Sequence, residues 1–379
     1  MRARHARIGM LLLIAGVVPP IAACTNFQNP TSVIDLRILA VNVEPSEIIL
    51  DVDLSNPAMP VVDPANNPPI MVTPLIVDPA GRGREVTYTV SACPNNPFAP
   101  APPGSGAGPG AFPSGGARTT VGSALCDPNS PNTWPLTPAP VVVDLADPLK
   151  SGVSVPIGVD QLTTAFMTDI FPDQFGNLHG GFDLGMPLTL DIKVDAGGEE
   201  IRGIKRVLYW ARRIDDAQKP NQTPRIDSLG VFRRDDYTLQ PLNTPVPIDE
   251  KMPYKLDGGV TRTWIMPSDA VAEPYETTVI DPNTHQAIPY SVARETLRLR
   301  WYTDLGSFSP GVTSTEVPPG FVVTDHIHLE AEYIGPPDDK ITTDADGHAI
   351  ATIWVVISDD RGGESWITRQ LQLTPVKSP

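Results

Sequence analysis

The chain has 379 residues, a formal net charge of −16, and 44 prolines and 30 glycines, together about a fifth of the sequence against ~12% in average proteins. Such a chain turns often and makes few long helices, and its length gives two or three domains of ~100 to 200 residues each. An acidic, lysine-poor surface repels nucleic acid and anionic lipid headgroups, so neither is an expected partner.

At the start, Arg2, Arg4 and Arg7 precede an apolar run over 8–18 and then small residues, the pattern of a secretory leader. The run is shorter than the ~20 residues a spanning helix needs, and it stops at Pro19 and Pro20. Residues Ile21-Ala22-Ala23-Cys24 resemble the lipobox of bacterial lipoproteins, where an aliphatic and two small residues precede a cysteine that is acylated. The resemblance implies that 1–23 is a signal peptide, that Cys24 carries palmitate-type chains, and that 24–32 is a tether. Removing the leader takes three arginines and no acids, so 356 residues remain and the charge goes from −16 to −19. Several acyl chains on one cysteine anchor durably, at ~0.8 kcal/mol per buried methylene. Position 25 is Thr, not the Asp of many lipoproteins kept at the inner membrane, so the resemblance implies the outer membrane, at its periplasmic or its cell-surface face.

With Cys24 assigned to lipid, Cys93 and Cys126 are left to each other as a disulfide. The 94–125 segment they close is dominated by turn-formers, and closing it stabilises the fold by ~3 to 4 kcal/mol in the chain-entropy model. In the run over 85–93 the larger apolar residues fall on even numbers, which puts Cys93 on the face turned away from the core. The bond is therefore not expected to join two sheets through a core.

Short alternating or apolar runs bounded by Pro, Gly, Asn and Asp predict an all-β protein of two or three immunoglobulin-like sandwiches in tandem. Strands over 34–43, 47–54, 70–77, 85–93 and 140–145 make a first domain at 33–150. A linker at 151–181 holds one short helix over 158–172, with Leu162, Phe166 and Ile170 at four-residue spacing behind Asp160 as its cap. Strands over 186–194 and 201–210, around the turn at Gly197 and Gly198, predict a second domain at 182–240. An extended, proline-rich connection at 241–289 carries one strand near 260–266. A third domain at 290–379 has an alternating strand over 295–302, a nearly all-apolar strand over 349–357 covered on both faces, and a last strand over 366–373.

Residues Ile34-Asp35-Leu36-Arg37-Ile38-Leu39-Ala40-Val41 with Glu44-Pro45, and Val86-Thr87-Tyr88 leading to Ser91-Ala92-Cys93-Pro94, resemble the opening domain of uncharacterised lipoproteins of myxobacteria and related soil bacteria. Trp354-Val355-Val356 with Asp359-Asp360-Arg361-Gly362-Gly363 resembles their closing immunoglobulin-like domain. The resemblance implies a fold and an address, and carries over no functional residue.

No nucleophile elbow, phosphate-binding glycine loop or His-Glu-x-x-His helix occurs in the sequence, so no catalytic residue is assigned. The most site-like feature is the stripe His326, His328, Glu330 and Glu332, which share one face if the run is a strand. These are metal-ligand residue types, but the same pattern is the wet face of an edge strand. Asp338 and Asp339 with Asp344, Asp346 and Gly347 suggest an oxygen-rich Ca2+ loop, or more simply a turn with Gly347 at positive φ. The 359–363 stretch has the same ambiguity, with Arg361 able to neutralise its acids. Trp210, Trp301 and Trp354 are expected in cores; Trp134, Trp264 and Trp366, in more polar surroundings, are the ones that could stack on sugars.

These features together predict a lipid-anchored cell-envelope protein that is a non-catalytic structural or interaction module, an adhesion or scaffold element, with the membrane and an envelope protein or glycan as partners. A calcium- or carbohydrate-binding module is the alternative, and an envelope hydrolase the third.

Overall fold

The computed structural model describes residues 29–53, 61–94, 125–168, 171–172, 178–179, 186–212, 220–234, 244–256, 262–268, 274–280, 287–316, 329–337 and 341–374. They form an all-β protein with one α-helix and two β-sandwiches. No described helix is long and apolar enough to cross a membrane.

The first sandwich begins with β1 (Arg37–Glu44), β2 (Glu47–Asp53), β3 (Val61–Val62), β4 (Ile70–Val77) and β5 (Thr87–Pro94). It continues through β6 (Trp134–Pro135), β7 (Val141–Val142) and β8 (Val153–Val155) to α1 (Val159–Thr168). A small hairpin of β9 (Phe171–Pro172) and β10 (Leu178–His179) follows, then the long pair β11 (Met186–Ala196) and β12 (Glu199–Arg212). One sheet has the order β1-β4-β8; the facing sheet runs β3-β2-β12-β11-β5-β6, with β7 also on β5. Strict alternation sends Tyr88, Val90 and Ala92 of β5 and Leu188, Leu190 and Ile192 of β11 into the core between them, because successive strand side chains point to opposite faces. Leu162 and Phe166 of α1 close that core.

The helix is shorter than expected, since Phe171 and Pro172 of the expected span are in β9; Ile170 lies outside the described residues. Asp160 sits within its first turn, and the end is capped instead by Gln161, whose Oε1 accepts from the Gly158 N–H at 2.8 Å.

The second sandwich uses β13 (Ser228–Phe232), β14 (Val246–Pro247), β15 (Tyr254–Lys255) and β16 (Arg262–Ser268). A separate hairpin of β17 (Pro274–Ile280) and β18 (Ala287–Arg294) precedes β19 (Arg298–Thr303), β20 (Ser307–Ser309), β21 (Val312–Ser314), β22 (Ala331–Ile334), β23 (Ala349–Ser358) and β24 (Glu364–Leu373). Its sheets have the orders β14-β13-β16-β22-β20 and β15-β24-β23-β19-β21. Leu299 and Trp301 from β19 meet Phe308 and Tyr333 from the opposite sheet, with ring centroids 5.4 Å apart for Trp301–Phe308 and 5.5 Å for Phe308–Tyr333. The polar tips find partners inside: Trp301 Nε1 donates to Thr313 Oγ1 at 3.1 Å and the Tyr333 hydroxyl to the Leu305 carbonyl at 2.7 Å.

Four expected boundaries change. Residues 151–181 are not a linker after a domain that ends at 150, because β8 pairs with β4 and Leu162 and Phe166 of α1 lie in the first core. Residues 182–240 are not a domain: β11 and β12 belong to the first sandwich and β13 to the second, because β11 pairs with β5 from Leu188 to Asp195 while β13 pairs with β16. The 241–289 stretch is more than a connection, since it supplies β14, β15, β16 and β17 and leads into β18; β14 and β15, of two residues each, are too short to show a period. Residues 290–379 alone therefore lack β13, β14 and β16 of one sheet and β15 of the other.

The 24–32 tether is also shorter than expected. Residues 31–33 run beside β19: Thr303 N donates to the Thr31 carbonyl at 2.9 Å and Val33 N to the Thr303 carbonyl at 2.8 Å. Thr31 Oγ1 accepts from Phe308 N at 2.9 Å, and Ser32 Oγ donates to the Gly306 carbonyl at 2.6 Å. The chain is thus bound to the second sandwich before it enters the first.

Cys93 and Cys126 are bonded. Cys93 lies opposite Thr189, on the face of the sheet turned away from Tyr88, Val90 and Ala92, as the alternation predicted. Cys126 is buried there, and its N–H supports the Asp191 carboxylate, which also ion-pairs with Arg202.

Candidate functional site

Among the described residues, those singled out from sequence are not gathered into one place. Cys24, His326, His328, Asp338 and Asp339 lie outside the described residues. Glu330 ion-pairs with Arg234 at 3.3 Å, both side chains largely buried, and Glu332 meets Arg262 at 3.7 Å. Arg234 also lies 4.4 Å over the Trp264 ring, with Phe232 at 6.4 Å on the same indole. Trp264 is therefore already stacked. Asp344 is exposed and forms a turn: its Oδ1 accepts from Asp346 N at 3.0 Å and His348 N at 2.9 Å, and Gly347 takes φ 78°. Among the described residues no three His, Cys, Asp or Glu side chains are placed to hold a metal ion.

What the fold does assemble is a buried charged junction between the two sandwiches. An apolar strip forms first, in which Leu39 and Ala40 of β1 and Leu75 and Val77 of β4 pack against Trp354 and Val356 of β23. These β23 residues point away from the second core, so the strand is covered on both faces, as its nearly continuous apolar sequence requires.

The 359–363 turn between β23 and β24 carries the centre of the junction. Arg361 ion-pairs with Glu47, the first residue of β2, and lies 3.4 Å from Glu295. Both glutamate side chains are 1% exposed, and a buried carboxylate is tolerated only when paired and hydrogen-bonded. Glu47 is: Trp210 Nε1 donates to it at 2.5 Å and Asn221 N at 2.6 Å. Trp210 is thereby half-buried at the junction, not in a core.

Asp359 shapes the turn by accepting from Arg361 N at 2.9 Å, Gly363 N at 2.7 Å and Asn221 Nδ2 at 2.8 Å. Asp360 accepts from Thr296 N at 3.3 Å. A Cβ on Gly363 would meet Asp359 Oδ2 at 2.3 Å and Pro224 Cδ at 2.7 Å, so only glycine fits this approach.

One residue further on, Glu364 makes a second clamp. Its Oε2 accepts from the Val41 backbone N–H at 2.8 Å and meets Lys205 Nζ at 3.3 Å, while its Oε1 pairs with Arg300. A side chain at the start of β24 thus holds the backbone of β1. Burial pushes the Glu47 and Asp359 carboxyls above their ordinary range; Arg361 and hydrogen bonds from Asn221 and Trp210 oppose this at Glu47, and hydrogen bonds from Asn221, Gly363 and Arg361 oppose it at Asp359.

Both oxygens of Glu47 and both of Glu364 are engaged by donors from within the chain. Chemically the arrangement is a lock between domains, in which acids are neutralised and held. The sequence marks Arg361 as able to neutralise the acids of its own turn; the actual partners, Glu47 and Glu295, lie 314 and 66 residues away. Glu47, Glu295 and Glu364 left no local signal, because a carboxylate at a strand end reads as solvated until a second domain covers it.

No protein-family model and no curated protein matches this sequence. Among solved structures, the Escherichia coli alpha-2-macroglobulin activated by porcine elastase aligns with 92% of this chain and 22% of its own, at 12% identity and a TM-score of 0.22. Dimeric latent PorU from Porphyromonas gingivalis aligns with 91% of this chain and 24% of its own, at 8% identity and a TM-score of 0.18. The chain spans about a quarter of the length of either.

Proposed function

We propose that this chain is a lipoprotein of the bacterial outer membrane, anchored through acylated Cys24, whose two locked sandwiches form a non-catalytic structural or interaction module of the envelope. The single observation that carries the reading is the sequence Ile21-Ala22-Ala23-Cys24 at the end of a short, arginine-led apolar run, a few residues before the chain binds to the second sandwich at Thr31. An acylated cysteine there needs no spanning segment to hold the protein at a membrane. The commitment of the buried charges to the domain junction supports a load-transmitting or presenting role, since it uses them to fix geometry between domains. The resemblance to myxobacterial-type lipoproteins agrees with this address. The partner in this reading is a protein or glycan of the envelope.

Fractionation of cells making the full chain tests the reading. The chain is expected in the outer-membrane fraction, extracted only by detergent, and Cys24→Ser is expected to abolish the acylated form and leave the leader uncut. Recovery of the unaltered chain in the soluble fraction would remove the anchor and the address with it.

A further inference from the structure

We infer that the second sandwich, not the first, is the membrane-proximal domain, and that a lipid surface meets its β20–β21 edge. The inference rests on acylation of Cys24 and adds which part of the protein that anchor holds against the bilayer. Cys24 is five residues before Asn29, and five residues of chain reach at most ~18 Å even fully extended. From Thr31 the chain is fixed, with its backbone paired to Thr303 and its hydroxyl to Phe308 N. Thr31 is buried, and Gly311 lies so close that an added Cβ would sit 2.4 Å from Thr31 Cγ2. The anchor is therefore held near Gly306, Phe308 and Gly311, although the next domain in sequence is the first sandwich.

The composition of this edge fits a bilayer. Residues 29–34 and 305–315 contain no Asp, Glu, Lys or Arg, in a chain whose net charge of −16 would otherwise be repelled by anionic headgroups. Asp304, beside them, turns its carboxylate inward to accept from Thr352 N at 2.7 Å. The flanking charges are paired, Arg298 with Glu316 at 2.8 Å and Arg262 with Glu332 at 3.7 Å. Val312, in this edge, is 56% exposed. The disulfide-bearing β5 is far from it: β2 carries the junction, and β5 lies three strands beyond across the sheet, roughly 14 Å at ~4.8 Å per strand.

The test uses the full acylated chain in vesicles of phosphatidylethanolamine and phosphatidylglycerol containing a headgroup-nitroxide lipid. Thiol fluorophores are placed one at a time through Val312→Cys and Ala139→Cys, the latter in the exposed turn between β6 and β7. Quenching several-fold stronger at 312 than at 139 is the expected result; equal quenching, or stronger quenching at 139, overturns the inference while leaving the anchor intact. The mass of the N-terminal peptide from the same sample separates the two claims, because an unacylated Cys24 overturns the anchor and this inference together.

Discussion

Arg361, in the turn between β23 and β24, reaches back 314 residues in sequence to ion-pair with Glu47 at the start of β2. The pair joins the two sandwiches beside the Glu364 clamp on Val41 and Lys205, and a second carboxylate, Glu295, completes it from the second sandwich. Removing the cation leaves two carboxylates buried without their counter-charge. Arg361→Ala is expected to cost ~3 to 5 kcal/mol, the range for breaking a buried pair from one side. Chemical denaturation followed by Trp fluorescence measures this, and Glu47→Gln in the same background should recover part of the loss. Additive losses would mean that the two residues do not act as a pair.

The same burial sets the pH dependence. Glu47, Asp359, Asp304 and Asp191 all have carboxyl pKa values raised by desolvation. A carboxyl that is more basic folded than unfolded favours folding below its unfolded pKa, and that contribution is lost as pH rises through the folded value. Melting temperature is therefore expected to fall as pH is raised from the ordinary carboxylate range toward neutrality. Glu47→Gln should flatten part of that slope, in the presence of the charged neighbours Arg361 and Glu295. A profile whose stability rises with pH over the same interval would contradict the assignment. Asp249, whose pKa is lowered by N–H groups of Lys251 and Met252, acts with the opposite sign at lower pH.

The bond between Cys93 and Cys126 closes a separation of 33 residues. In the chain-entropy model a loop of that length stabilises by ~3 to 4 kcal/mol. The double variant Cys93→Ser, Cys126→Ser is expected to lose about that much with an unchanged far-ultraviolet circular dichroism spectrum, because neither sulfur lies in the core between the sheets.

Gly311 controls the docking of the amino-terminal segment. A Cβ there meets Thr31 Cγ2 at 2.4 Å, and turning Thr31 about χ1 to escape would take Oγ1 away from Phe308 N. Gly311→Ala is expected to cost ~1 to 3 kcal/mol, as overpacking does, and to speed cleavage near Thr31 by added protease. An unchanged cleavage rate would show that the segment is held by other contacts.

The fold class was legible because alternation is a local signal: the even-numbered residues of β5 and the odd-numbered ones of β19 identify their core faces without any partner. The disulfide followed from counting cysteines, and its outward face from the same alternation. The apolar β23 announced a covering layer on both faces, yet nothing local said that the layer was the first sandwich. Domain boundaries failed for a related reason. Which sheet receives β11, β12 or β13 is decided by pairing across long separations, as with β2 beside β12, and short proline-bearing strands such as β14 have no period to read. The junction acids were invisible on the same ground, since Glu47 and Glu364 are buried by contacts that only tertiary structure creates.

The central claim is the anchor, and the most direct measurement is the mass of the amino-terminal peptide of the protein isolated in detergent from its native membrane. Residues 1–23 are expected to be absent and the peptide to begin at Cys24, heavier by its acyl chains. A peptide that begins elsewhere, or one with an unmodified Cys24, contradicts it.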